Sequence, residues 1–204
     1  MLGFDRGDTL VEVLFAVSVF GLVSVLGISV MNQATATSQR ALQITVVRQE
    51  IDAQAEVLRF LNNSYIAAYR SGVSSYPLNT PAGQWGRFTT EGSLLTVSSA
   101  PAYTDSKACP TTANIPSNSF ILNPRTASIV KSKYSPDSSY AHVTYNADNS
   151  VDKAYGLWVQ AVKSTGDTAG SGGYIDFYIM ACWENPGQTI PLKDATVVRL
   201  YEPR

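Results

Sequence analysis

The chain has 204 residues, and only 15% of them are charged, against about 25% in an ordinary soluble domain. A formal net charge of −1 excludes an electrostatic nucleic-acid binder, which would carry a basic face. Ten Pro and fourteen Gly imply a loop-rich globular part.

The first element in chain order is an apolar run. Residues 13–31, VLFAVSVFGLVSVLGISVM, hold no charge. A helix needs about 20 such residues to cross a bilayer's hydrocarbon core. Valines and the glycines Gly21 and Gly27 lower its helix propensity, but helix is the only single span in which lipid leaves every backbone group paired. Arg6 precedes the run and Arg40 lies well beyond it, so the positive-inside rule places the N-terminus in the cytoplasm and the rest outside. Glu12 stands at the start of the run. An ionisable group at membrane depth is costly and points to function; snorkelling at the interface is the plainer alternative.

Before and into this run the chain reads Arg6-Gly7-Asp8-Thr9-Leu10-Val11-Glu12-Val13-Leu14. This resembles the signal of type IV pilins and pseudopilins. That signal is a short leader ending in Gly, then an uncharged residue, Thr-Leu-(Ile/Val)-Glu and an apolar helix. Cleavage between Gly7 and Asp8 makes Glu12 the fifth residue of the mature chain, as the family requires. Cleavage after Gly3 would make Asp8 the fifth and strand Glu12. An ordinary secretory signal is cut after its apolar region, whereas here the site precedes it and the helix is retained.

The resemblance covers about residues 1–69 and implies a mechanism. A membrane prepilin peptidase removes the leader, residues 1–7, and methylates the new terminus at Asp8. Glu12 then neutralises the terminal amine of a neighbouring subunit. A carboxylate paired with an ammonium is less costly in lipid than either alone, so the pair sets register. Asp8 stands where the family usually has Phe, a departure that bears on methylation more than on cleavage. The family's mid-span proline is absent, while Gly21 matches a common glycine; local melting would therefore use Gly21 and Gly27.

The helix is expected to continue over residues 32–70. Residues 32–39 are polar and small and read as a bend. Ile44, Val47, Ile51, Leu58, Leu61, Tyr65 and Ala68 then form one apolar stripe, with Gln54-Ala55 as its weak turn. Arg70-Ser71-Gly72 reads as the stop. A pilin packs this half on its sheet; an amphipathic stalk or coiled coil is the alternative from the stripe alone.

Residues 71–86 are rich in Ser, Pro, Gly and Asn and read as a loop, with Trp85 as its best exposed aromatic. Strands are expected at 93–98, 119–122, 127–131, 140–145, 155–162, 174–183 and 195–201. The alternation of Tyr155, Leu157, Val159 and Ala161, and of Ile175, Phe177, Ile179 and Ala181, suits a sheet with one face on the long helix. Residues 146–150 read as a turn and 163–173 as a Gly-Ser-Thr loop. The fold class is therefore α+β, a long N-terminal helix packed on an antiparallel β-sheet head. The divisions are a leader (1–7), a membrane and filament-core helix (8–31), its amphipathic continuation (32–70) and a β-rich head (71–204).

Cys109 and Cys182 can form a disulfide if the head is exported; two buried thiols are the alternative. His142 reads as a strand histidine, with no second His or close Cys to make a zinc site. Asn146, Asp148, Ser150 and Asp152 alternate like calcium-loop ligands. The Gly and Glu of such a loop are replaced by Val151 and Leu157, which favours a solvated turn. No Walker A, dinucleotide or GxSxG motif is present. No catalytic residue, metal or cofactor is expected.

The expected function is a non-enzymatic subunit, by its length a minor pilin, of a type IV pilus or related filament. Its partners would be other pilin subunits, the prepilin peptidase, the assembly machinery and, before assembly, the bilayer. It would begin as a single-pass inner-membrane protein and end in an extracellular or periplasmic filament. The alternatives are a pseudopilin of a secretion or competence system and a membrane-anchored adhesion protein that never polymerises.

Overall fold

The computed structural model describes residues 8–73, 75–90, 96–97, 108–116, 118–131, 133–136, 139–164, 173–184 and 189–203. The expected leader, including Gly7, lies outside them. So do most of the expected strand at 93–98 and most of the loop at 163–173. The chain divides into two compact units, Met1–Gln43 and Ile44–Arg204.

Helix α1 covers Asp8–Arg70. Residues 32–39, expected as a bend, are helical. Their threonines bond back to the preceding turn, Thr35 to the Met31 carbonyl at 2.9 Å and Thr37 to that of Gln33 at 2.9 Å. Small polar residues therefore interrupt the apolar pattern without interrupting the helix. The helix stops where the sequence signals it. Gly72 adopts φ 74°, and the Val73 and Gly72 N–H groups donate to the Ala68 and Tyr69 carbonyls at 3.2 and 3.0 Å. This is a Schellman cap, for which glycine is favoured because it has no Cβ penalty at positive φ.

The stretch expected as a loop contains a second helix, α2, Pro81–Thr90. Thr80 caps it: its Oγ1 accepts the Gly83 N–H at 3.1 Å, and Pro81 occupies the first helical position. Trp85, expected as exposed, is 0% exposed. Its indole packs against Phe88 and Phe177 with ring centroids 5.5 and 5.6 Å apart, and Phe88 in turn meets Phe120 at 5.5 Å. The aromatic pair is what anchors α2 to the core.

The strands are β1 (Thr96–Val97), β2 (Phe120–Asn123), β3 (Ser128–Lys131), β4 (Tyr134–Ser135), β5 (His142–Tyr145), β6 (Val151–Tyr155), β7 (Leu157–Lys163), β8 (Tyr174–Trp183) and β9 (Leu192–Tyr201). The main sheet runs β3-β2-β7-β8-β9 and is antiparallel along that path; β1 joins β7 in parallel. A smaller sheet runs β4-β6-β5, with β4 parallel to β6. The strand expected at 155–162 is thus two strands in two sheets, divided at Gly156. That residue has φ 59°, and a Cβ there would lie 2.3 Å from the Cys182 carbonyl oxygen. Its N–H donates to Ser135 and its carbonyl accepts from Cys182, both at 2.8 Å, so one glycine joins the two sheets.

The apolar stripe of α1 meets one face of the main sheet. Val47, Ile51, Leu58 and Leu61 share a buried cluster with Leu122, Val159, Ile175 and Ile179. Gln54, the weak turn of the stripe, is also 0% exposed. Its Nε2 donates to the Leu122 carbonyl at 3.0 Å, and its Oε1 accepts the Leu122 N–H at 2.8 Å. β2 pairs with β7 only at Phe120. The Gln54 amide therefore takes the place of the missing strand at Leu122. Gln84 and Arg87 of α2 do the same for Ile129 on β3, at 3.0 and 3.2 Å, and Asn62 caps the Tyr201 carbonyl on β9 at 3.1 Å. Helix side chains thus cover strand edges that would otherwise be open to pairing.

Candidate functional site

In the first unit the large apolar side chains of α1 are exposed among the described residues. Leu10, Val11, Val13, Leu14 and Phe15 are 60–71% exposed, and the large apolar side chains continue exposed to Met31. Fully burying one such side chain is worth about 1.5–3 kcal/mol, so this surface demands lipid or protein around it. Length and composition suffice for this helix to span a membrane. Its hydroxyls suit an apolar medium: Ser18 donates to the Leu14 carbonyl and Ser24 to that of Phe20, both at 2.8 Å.

Glu12 is the only ionisable side chain between Thr9 and Gln39, and it is exposed among these apolar residues. No described residue pairs with it. Asp8 is the first described residue and is helical. Gly21 and Gly27 are helical, and a Cβ at either would meet no heavy atom within 4 Å. The helix face there is open to a close neighbour.

The remaining sites lie in the second unit. Cys109 and Cys182 form a disulfide with Cα atoms 5.5 Å apart. It lies on the sheet face opposite α1, in a cluster with Trp158, Met180, Ile115 and Tyr134. Burial pushes the Tyr134 hydroxyl up to about 12, and that hydroxyl donates to the Pro110 carbonyl at 2.8 Å. His142 lies on β5 between the Tyr140 and Tyr155 rings, at 4.7 and 4.9 Å. Glu50 of α1 faces His142; burial raises its pKa, and the histidine's charge opposes that rise.

The oxygen groups at 146–150 turn on one another rather than outward. Asp148 Oδ1 accepts from the Ser150 N–H and hydroxyl at 2.9 and 2.6 Å, and the Asn146 amide donates to Ser150 Oγ at 2.9 Å. These bonds hold the Asp148 carboxyl below its usual range and close a hairpin with Asn149 at φ 64°. Among the described residues no group of three His, Cys, Asp or Glu side chains is placed to hold a metal.

The sequence reading missed the polar stitching. Asn123 is 1% exposed; its amide donates to the Asn149 carbonyl at 2.8 Å, and Arg125 donates to Asn149 Oδ1 at 2.8 Å. Two hairpin tips are thereby tied together, with the Arg125 guanidinium 4.0 Å from the Tyr145 ring centroid. The available signal was a polar amide at a core position of the stripe, as at Gln54.

No protein-family profile matches the chain, no curated protein is significantly similar to it, and no solved structure matches its fold.

Proposed function

We propose that the chain is a non-enzymatic structural subunit, a minor one, of a type IV pilus or related filament. The observation that carries the reading is the exposed apolar helix of residues 10–31 with Glu12 as its one ionisable group, five residues after Gly7. The peptidase cuts after Gly7, and the helix waits in the inner membrane with the globular unit outside. On assembly the helix exchanges lipid for the helices of neighbouring subunits. Glu12 meets the terminal amine of a neighbour at Asp8, and an off-register subunit leaves both charges unpaired at a cost of several kcal/mol per ion. An α+β unit built on the end of the same helix is consistent with that role.

The test is Glu12→Ala in the native cells, followed by separation of membranes from sheared surface or periplasmic fibres. The variant is expected to be processed and inserted yet at least about tenfold depleted from fibres, the equivalent of about 1.4 kcal/mol of lost pairing. Equal incorporation of the variant would remove Glu12 from assembly. Absence of the wild-type protein from any fibre would leave a membrane-anchored binding protein that does not polymerise.

A further inference from the structure

β9 ends the main sheet, and part of its outer edge is left open. β8 and β9 are antiparallel with Tyr174 opposite Tyr201, and beyond that pair the Glu202 N–H donates to the Gly173 carbonyl at 2.9 Å. Bonded and non-bonded pairs alternate along such a ladder. The even-numbered residues of β9 therefore bond to β8, and the odd-numbered ones turn their N–H and C=O outward. Two contacts agree with this: Asp194 Oδ1 accepts the outward Ala195 N–H at 2.9 Å, and Asn62 of α1 donates to the outward Tyr201 carbonyl at 3.1 Å. Between these two plugs, none of the described residues bonds to the outward N–H and C=O of Val197 and Arg199.

The open stretch lies within residues 195–201, about 20 Å of strand, and offers two donors and two acceptors in line. Leu192, Val198 and Leu200 join the core under α1, so Ala195, Val197, Arg199 and Tyr201 lie on the opposite face. All four are exposed, Val197 by 54% and Tyr201 by 60%. The charges along this edge are already matched within the chain. Arg199 forks onto both Asp176 oxygens at 2.7 and 2.8 Å and lies 4.1 Å from the Tyr174 ring centroid, while Arg48 of α1 meets Asp194 at 3.1 Å. A charged partner finds no vacant counter-charge in these groups and loses hydration beside Val197 and Tyr201. An uncharged strand with apolar side chains at alternate positions covers both residues without that cost.

We propose that the β9 edge at Val197 and Arg199 docks an extended, uncharged segment of another protein, which adds to the main sheet as a further antiparallel strand. Its backbone exchanges bonds with Val197 and Arg199, and its alternate apolar side chains lie beside Val197 and Tyr201. The two plugs limit the added strand to about seven residues. The proposal is independent of filament assembly, because every residue involved lies in the second unit.

The test uses the full chain, ¹⁵N-labelled at valine, in zwitterionic detergent. The probe is the peptide acetyl-Ser-Val-Thr-Val-Thr-Val-Ser-amide; one comparison peptide is N-methylated at its three valines, and another carries Glu as its central residue. The Val197 amide, identified by its loss in Val197→Pro, is expected to exchange with solvent faster than that of Val198, which bonds to β8. The probe should slow Val197 exchange saturably at millimolar concentration. The N-methylated peptide should bind at least about tenfold more weakly, because it cannot donate to the edge, and the Glu peptide also more weakly. Val197→Pro removes an outward N–H, which an edge strand tolerates, and should abolish binding. Val197→Lys keeps that N–H and the fold but puts a charge on the exposed face, and should weaken binding severalfold. A Val197 amide already protected in the free chain at low protein concentration overturns the proposal. So does equal binding of the probe and its N-methylated or Glu form, or no slowing at several millimolar probe. Protection of Val197 that grows with protein concentration in the absence of peptide replaces the foreign strand with a second copy and overturns it as well.

Discussion

Replacing Gln54 by Leu should destabilise the protein although it puts a more apolar residue into a buried site. Gln54 is 0% exposed and satisfies both backbone groups of Leu122, at 3.0 and 2.8 Å. Leucine leaves a buried N–H and a buried carbonyl without partners, each at about 1–3 kcal/mol. The apolar gain offsets about 1–2 kcal/mol of this. A net loss of about 2–4 kcal/mol follows, large against the total stability of a domain. Urea unfolding of the full chain in detergent, followed by tryptophan fluorescence, measures it; with a slope of about 2 kcal/mol per M the midpoint falls by about 1–2 M. Asp52→Asn, two residues away and exposed, is the control and should stay within about 0.5 kcal/mol of wild type. A Gln54→Leu midpoint equal to that of the control would refute the argument that this amide replaces a strand.

Other sites give independent tests. Gly156→Ala forces a Cβ to within 2.3 Å of the Cys182 carbonyl oxygen at φ 59°, and should cost at least about 2 kcal/mol in the same assay. Reducing the Cys109–Cys182 disulfide opens a loop with a sequence separation of 73 and should lower stability by up to about 4 kcal/mol, read as the difference in unfolding midpoint with and without reductant. Glu50 has a raised folded pKa because burial penalises its charged form. Its titration favours the folded state below the unfolded carboxylate value, and that contribution is lost as pH rises through the folded pKa. Glu50→Gln should therefore be at least as stable as wild type at pH 7, with its relative advantage disappearing as the pH falls below the unfolded value; an advantage that grows on acidification would contradict the sign.

The long helix was legible because two strong patterns follow one another: an uncharged run at membrane length, then a stripe at helical spacing that ends in Gly72. β8 was legible for a similar reason, since alternation over residues 174–183 coincides with the strand. The division at Gly156 was not, because alternation continues through it; only the close approach of Cys182 shows that the chain changes sheets. α2 was hidden by composition. Its Thr80-Pro81 start is a helix signal, but Gly83 and Gly86 beside Trp85 read as loop, and burial by Phe177 and Phe120 is a long-range effect. Gln54 reads only as the weak turn of the stripe because the strand edge it satisfies is 68 residues away. The motif around Glu12 is a local pattern of residue types rather than a product of folding, so the fold does not bear on it.

The filament reading stands on the processing of the chain's N-terminus. Mass spectrometry of the protein isolated from its native cells tests it most directly. A chain that begins at Asp8, with or without a methyl group on that residue, is the predicted result. A chain that still carries residues 1–7 would contradict it and leave a membrane protein held by an uncut signal anchor.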